Sequence, residues 1–401
     1  CFGRFLIDLP KDAEINGQAY EYMFGKIESE RFTGGETAFE KKMKEREGEL
    51  NAAVKTASKG EYKLTATRLT EHRDAKIFVT SRTIYGDVAN GFELYRYVPD
   101  ILFSMKNKAF DPTRFPSVLH DMETKIVPNL RFRRPDEIPN EPGFCIKDGF
   151  IADDGKTPHF EDAGISFKFK QWPDVSIVVS TRTNRDKLEE SLLTRIKKPI
   201  PAVFVEVEKE VRHFREGSHN VGPMRGEQSL ITLPTDNGYG VHHFVWEALG
   251  EPRTTLAPLV HLDFNTGEGR SINQRYMRPS LTDKQAIELF DAIVNSIRLR
   301  PSTPGKSSDA GKPSNFDNGD ARRLPLGARV SSFRSCPETG VYECPADTPG
   351  VYARRVLVQA GRPMPSAFIA QARQGIAGLL GTLESKEVEV IWTLVAYEEG
   401  A

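Results

Sequence analysis

Ser280–Pro301 reads SLTDKQAIELFDAIVNSIRLRP, and the fold of the second half of the chain turns on it. Thr282 stands where a helix cap belongs, with Gln285 three residues on, the spacing of a capping box. Asp283 falls in the first turn and Arg298 in the last, each at the favourable end of a helix dipole. Ala286, Leu289, Phe290, Ile293 and Ile297 recur at three and four, so one face is apolar and must be buried. The spacing predicts a helix from Thr282 to Arg298, stopped by Pro301 and closing a domain. It has an echo upstream: Ile126-Val127-Pro128-Asn129-Leu130-Arg131-Phe132-Arg133 resembles Ile293-Val294-Asn295-Ser296-Ile297-Arg298-Leu299-Arg300.

Outward from that helix, the chain divides. Strands are expected at Phe5–Leu9, Tyr20–Phe24, Lys63–Leu69, Ala75–Thr83 and Phe92–Val98. A surface-packed helix over Thr37–Ala57 presents Phe39, Met43, Leu50 and Val54, and a second helix covers Pro116–Ile126. Pro135, Pro139 and Pro142 end a first α+β domain, residues 1–142. In the second, residues 143–300, Ile165, Phe167 and Phe169 alternate with polar residues. Trp172-Pro173-Asp174 turns the chain, and Val175, Ile177 and Val179 return it as a hairpin. Asn184 is expected to cap a helix carrying Leu188, Leu192 and Ile196, and Val203–Val207 to form a strand. Arg215–Gly226 reads as a polar loop, followed by strands at Val241–Ala248 and Leu259–Phe264. IFVTSRT at Ile77–Thr83 matches IVVSTRT at Ile177–Thr183. With the helix-end echo, this predicts two similar domains with antiparallel sheets and packed helices, a duplication of one α+β unit. Residues 301–322 form a Pro/Gly/Ser/Asp-rich linker, and residues 323–401 a small, mostly β appended domain with a short helix within Pro365–Leu380.

The chain has 401 residues, 38% hydrophobic and 28% charged, which places it among folded rather than disordered proteins. Its formal net charge of -1 argues against nucleic acid as a partner. No apolar run approaches the length of about 18 residues that spans a membrane. The chain begins at Cys1 rather than Met, so a preceding segment, a signal peptide, is expected. Of the four cysteines, Cys336 and Cys344 bracket CPETGVYEC, whose Pro337 and Gly340 suit a hairpin clipped by a disulfide. Two reduced buried thiols are the alternative.

Catalytic signatures are missing. There is no G-x-S-x-G elbow, phosphate-binding loop, H-E-x-x-H or dinucleotide fingerprint. No catalytic, cofactor or metal residue is therefore assigned. His242 and His243 are adjacent on an expected strand and point to opposite faces: His242 reads as a hydrogen-bonded core residue, His243 as solvent-facing. Asp263 falls on the wet side of its strand, and Asp153-Asp154-Gly155 reads as a turn. Trp172 and Trp246 are read as core. Two segments suit a protein interface: the contiguous apolar Ile101, Leu102 and Phe103, and Met224 with Arg225 between glycines. For each, ordinary burial or an ordinary loop is the competing reading.

CFGRFLIDLP at the start, GFCIKDGFI at Gly143–Ile151, Arg215 with Gly226-Glu227, and Phe244-x-Trp246-Glu247-x-x-Gly250 carry a resemblance. Pro258 before an alternating strand, Thr266-Gly267 and the closing Ser296-Ile297-Arg298 extend it. Over Cys1–Pro301 the chain resembles the family-four branch of immunity proteins cognate to type VI secretion phospholipase effectors. The resemblance implies a periplasmic, non-catalytic, cofactor-free inhibitor whose partner is a cognate phospholipase, its two domains gripping that partner and keeping its lid closed. It also places Cys1 and Cys145 at domain edges, where they pair; a lipid-modified Cys1 is the other reading, weakened by a strand starting too close to leave a tether. A periplasmic ligand-binding or assembly accessory protein, and an enzyme of unfamiliar type, are the competing classes.

Overall fold

The computed structural model describes residues 1–52, 62–69, 74–84, 87–188, 190–198, 210–271, 274–302, 326, 329–332, 336, 339–345, 355–358, 364, 367–372, 383–388 and 390–397. In chain order its strands begin with β1 (Phe5–Leu6), β2 (Ala13–Tyr22), β3 (Gly25–Arg31), β4 (Tyr62–Leu69), β5 (Ala75–Ile84), β6 (Asp87–Val98) and β7 (Ile101–Phe110). Then come β8 (Leu130–Phe132), β9 (Gly143–Ile146), β10 (Gly149–Ala152), β11 (Glu161–Phe169) and β12 (Ser176–Arg182). The second half adds β13 (Arg212–Ser218), β14 (Gly226–Pro234), β15 (Gly240–Ala248), β16 (Leu259–Asn265), β17 (Glu268–Ser271), β18 (Gln274–Tyr276) and β19 (Arg298–Leu299). The helices are α1 (Gly35–Ala52), α2 (Phe115–Asp121, continued by a π turn over Met122–Ile126), α3 (Leu192–Ile196) and α4 (Asp283–Val294).

One 12-stranded antiparallel sheet runs through both halves in the order β13-β14-β15-β16-β12-β11-β2-β3-β7-β6-β5-β4. The central pair is β2 against β11, with Gly164 opposite Ala19 and Ala163 opposite Tyr20. Outward from that pair each half follows the same path. A hairpin comes first, then an excursion containing a helix, then a four-stranded meander returning from the edge, then a helix and a short strand. The helix-end echo falls on matching places, since β8 follows α2 as β19 follows α4. The IFVTSRT match does not: Ile77–Thr83 lies on β5, second from an edge, and its counterpart starts on β12, beside the central pair.

Period-two burial along β11 puts Ala163, Ile165, Phe167 and Phe169 on one side of the sheet, and Ile177 and Val179 join them from β12. α2 and α4 cover this side. Phe115, Val118, Leu119 and Met122 come from the first helix and its π turn, and Ala286, Phe290, Ile293 and Val294 from the other, in a single core with Phe244, Trp246 and Phe264. The capping box at α4 forms as its sequence predicts, Thr282 Oγ1 accepting from Gln285 N and Gln285 Oε1 accepting from Thr282 N at 3.0 Å. The predicted Trp172-Pro173-Asp174 turn also forms. Its Asp174 is 1% exposed and accepts from Gly267 N and Ser280 N, both at 3.0 Å, which ties the hairpin to the lead-in of α4. Trp246 is fully buried and Trp172 packs against the same core.

Several sequence expectations are corrected. The helix expected after Asn184 is only α3, capped by Ser191; Asn184 instead bridges to Pro252 and donates to Leu249 O. The expected loop Arg215–Gly226 is strand at its ends: β13 runs to Ser218 and β14 starts at Gly226, and the residues between hold a turn about Val221–Met224. The first strand shrinks to Phe5–Leu6, because Phe2, Phe5 and Leu6 are all buried and the expected alternation is lost. Val203–Val207 and nearly all of the 301–322 linker lie outside the described residues.

In the tail, the chain forms strands β20 (Arg329–Ser331), β21 (Gly340–Glu343), β22 (Arg355–Val358), β23 (Ala367–Ala372), β24 (Leu383–Val388) and β25 (Ile391–Tyr397). Ala367–Ala372, where a short helix was expected, is strand paired with β24. Cys336 and Cys344 are both buried in this small core but are not bridged to each other. Gly340–Glu343, expected within a clipped hairpin, is instead a strand held between β22 and β25.

Candidate functional site

The two halves meet along a seam rather than across an open cleft. The N-terminal segment crosses it: Cys1 is disulfide-bonded to Cys145 on β9, Gly3 pairs with Cys145, and β1 pairs with β19 at the far end of the chain. The Cys1–Cys145 bond is the pairing implied by the family resemblance, and it occupies the sulfur that lipid modification of Cys1 requires. Behind it, Phe150 lies between two guanidinium groups, Arg131 at 4.9 Å and Arg300 at 5.0 Å from its ring centroid. Arg300 also donates to Glu141 O and Gly143 O at 2.7 and 2.9 Å, and Arg133, at the matching place in the echo, to Gly149 O and Ile146 O.

At the centre of the seam lies an ion cluster that sequence reading missed. Arg4 is 5% exposed; its Nε donates to Glu161 Oε2 at 2.8 Å, and its Nη1 donates to Asp153 Oδ1 at 3.3 Å. His159 Nε2 lies 2.7 Å from Glu161, and Tyr22 donates to Asp153 at 3.3 Å. Burial pushes the Tyr22 phenol pKa well above its usual range, and the two carboxylates add to the effect. Burial opposes a charge on Arg4, but the Glu161 and Asp153 carboxylates override it and hold the guanidinium protonated. Asp153, His159 and Glu161 have the donor types of a metal site, yet the Arg4 guanidinium already sits on both carboxylates, so the group reads as a structural cross-brace. Asp153 does form the expected turn, accepting from Gly155 N at 2.8 Å; nothing local in Asp-Asp-Gly signals its second partner 149 residues away.

A second cluster sits on β15 and β16, where His261 lies 3.1 Å from Glu247 and 3.0 Å from Asp263, and Arg195 of α3 pairs with Glu247 at 2.9 Å. Asp263, expected on a wet face, is thus ion-paired and largely covered. His242 is the hydrogen-bonded core histidine expected, 2.9 Å from both Thr266 and Asp283; burial lowers its pKa, with Asp283 opposing. His243 is corrected: it is 8% exposed and contacts Asn265 at 2.7 Å.

The interface candidates separate. Ile101, Leu102 and Phe103 are 5%, 2% and 1% exposed, because β7 lies inside the sheet with α1 on one side and the main core on the other. They present no surface to a partner. Met224 and Arg225 do reach the surface. Val221 and Met224 exchange hydrogen bonds at 3.0 Å around an exposed Gly222-Pro223 tip, Met224 is half-buried against the core, and Arg225 is exposed. Among the described residues, a concavity beside Arg4 and Thr183 has no room for a water, and one between Arg212 and Tyr239 holds about 160 Å³, below the range of roughly 300–1,000 Å³ for small-molecule sites.

On the side of the sheet away from α2 and α4, coverage by the described residues is uneven. α1 packs Phe39, Met43 and Leu50 onto Phe78, Tyr95 and Leu102, and α3 reaches Glu227 and Glu247. Between them β2, β11 and β12 carry Gly17, Ala19, Gly164, Ser166, Val178 and Ser180 facing outward, with Val178 38% exposed.

Comparison with known proteins places this architecture. Residues 1–123 match the model of the Tle cognate immunity protein 4 N-terminal domain, and residues 137–302 that of its C-terminal domain. No curated protein matches by sequence. Among solved structures, the immunity protein of the Tle4–Tli4 complex is 28% identical at a TM-score of 0.64, over 76% of this chain and 97% of that one. The apo immunity protein TplEi of the T6SS of Pseudomonas aeruginosa is 27% identical at a TM-score of 0.62 over the same shares. TplEi with an "L" peptide is 26% identical at a TM-score of 0.58, over 75% of this chain and 97% of that one. With both halves matched by the two domain models, the chain belongs to the Tle cognate immunity protein 4 family.

Proposed function

We propose that this protein is a periplasmic immunity protein of a type VI secretion system. It binds a phospholipase effector one-to-one and holds it inactive without itself turning over lipid. The observation that carries this reading is the likeness, across 97% of its length, to an immunity chain solved in complex with Tle4. The closely packed seam supports a gripping role, since a rigid pair of lobes loses little entropy on binding. On this reading the lobes hold the effector's lid shut, and the Met224–Arg225 turn is among the contacts. The two lobes, residues 1–142 and 143–300, are copies of one unit. Their common strand path and the helix-end echo support this, and the misplaced IFVTSRT match does not. Residues 323–401 form an appended domain after the 301–322 linker.

Titration of a purified phospholipase effector of the Tle4 kind with this protein, read by lipid hydrolysis and calorimetry, tests the reading. Inhibition is expected to saturate at one equivalent. Hydrolysis by this protein alone, or loss of activity without a measurable complex, sinks it.

A further inference from the structure

We propose that the Cys1–Cys145 disulfide is a redox latch: opening it frees the strap of residues 1–6 from the seam and slackens the hold of one half on the other. Its consequence for inhibition rests on the effector-binding reading above. The strap belongs to the first half but lies on the second. Gly3 and Cys145 exchange backbone hydrogen bonds at 2.9 and 2.7 Å, β1 pairs with β19, and Arg4 O accepts from Arg300 N at 2.8 Å. Gly3 has φ +52, and a Cβ there meets Ala163 Cβ and a Phe144 ring carbon at 3.2 Å and Thr181 Oγ1 at 3.3 Å. The strap backbone therefore lies directly against β9, β11 and β12. Phe2 and Phe5 are buried in the main core, and Arg4 pairs with Asp153 and Glu161.

The two ends of the strap are held differently. Beyond Leu6 the chain runs on towards β2, and Asp8 is pinned there by Arg298 at 2.9 and 3.0 Å. The Cys1 end is joined to β9 covalently through Cys145 alone, across a sequence separation of 144. A crosslink closing so long a loop is the kind that constrains most. Without it the strap is a flap hinged on the β2 side, free to open as a local unit. The pairing of β2 with β11 does not involve the strap, so the sheet stays whole while the seam loosens.

The surroundings of the disulfide suit thiol exchange. Cys1 is partly exposed and Cys145 fully buried, so an incoming thiolate reaches Cys1 Sγ and Cys145 departs. Arg300 donates to Gly143 O at 2.9 Å and Arg133 to Ile146 O at 3.2 Å, which sets a guanidinium against β9 on each side of Cys145. Among the described residues the hydrogen bonds of both go to backbone carbonyls, and neighbouring cations favour a departing thiolate. A dithiol supplies the electrons. Its first sulfur bonds to Cys1 Sγ as the Cys1–Cys145 bond breaks. Its second then closes the dithiol's own disulfide and releases Cys1. Two electrons and the dithiol's two protons end on the cysteines. The latched state is thereby confined to an oxidising compartment, and with it the fixed geometry of the two gripping lobes.

The test compares the full chain oxidised, reduced with dithiothreitol, and carrying Cys1→Ser with Cys145→Ser. Amide hydrogen exchange in residues 2–6 and 298–300 is expected to quicken about 100-fold in both opened forms, while β5 and β6 keep their protection. Unchanged protection of residues 2–6 in the reduced chain overturns the latch. So does an equal loss through β5 and β6, which makes the disulfide a staple of the whole fold. If the double variant does not fold, the reduced parent decides between these outcomes. Affinity of the double variant for a purified phospholipase effector of the Tle4 kind, measured without reductant, is expected to fall about 10-fold. An opened strap with unchanged affinity overturns its tie to inhibition. If the oxidised parent itself gives no inhibition, the effector-binding reading fails, and hydrogen exchange alone decides the latch.

Discussion

Arg4 is the residue on which the seam depends most. Two carboxylates from the second half, Asp153 and Glu161, are paired with a guanidinium from the N-terminal segment. Removing the cation leaves a buried, uncompensated carboxylate, which costs roughly 3–5 kcal/mol. Arg4→Met is therefore expected to lower unfolding free energy by about that amount in denaturant titration, and adding Glu161→Gln to recover part of it. Failure of the second change to recover anything rules out the charge explanation. His261 carries the pH dependence. Burial alone lowers its pKa, but Asp263 and Glu247 override that and raise it from 6.5 to about 10. A histidine whose folded pKa lies above its unfolded value stabilises fully below about 6.5, and that stability is lost as pH rises towards about 10. Between pH 7 and 9 the loss amounts to roughly 2 kcal/mol. His261→Gln is expected to be less stable than the parent at pH 7, with the gap closing by about pH 10; a gap constant with pH refutes the linkage.

At the scale of elements, α4 separates local from tertiary stabilisation. Its cap satisfies backbone donors that water also reaches, so Thr282→Ala is expected to cost about 1 kcal/mol. Phe290 is fully buried, edge-on to Phe244 at 5.5 Å and Phe264 at 6.2 Å, so Phe290→Ala is expected to cost about 3–5 kcal/mol. Equal effects in thermal melts contradict that division.

The whole molecule behaves as one sheet with an appendage. Cutting between residues 142 and 143 separates β2 from β11, β8 from β10, and Cys1 from Cys145. Neither half is expected to unfold cooperatively by itself, whereas a chain ending at Pro301 is expected to keep the transition of the full protein. Two independent melting transitions from the separated halves contradict the continuous sheet. Loss of cooperativity on tail removal contradicts the boundary.

Local signals carried far in this sequence. The Thr282–Gln285 cap, the apolar face of α4, the β11–β12 alternation and the helix-end echo all depend on residues within a few positions of one another, where periodicity and capping chemistry act. The family resemblance also rested on such short motifs, down to Thr266-Gly267, whose glycine has φ +73 and would drive a Cβ into Val241 and Met277 O. What tertiary structure alone decided lies at long sequence separation. Apolar Ile101-Leu102-Phe103 reads equally as interface or core until both sides of β7 are covered. Asp153 looks like a turn residue until Arg4 arrives from 149 positions away. CPETGVYEC looks like a clipped hairpin until β22 and β25 claim its strand. Whether the halves stand apart or share a sheet depends on β2 meeting β11. Edge strands carry no local mark of the partner they will take, because backbone hydrogen bonding is the same for every neighbour.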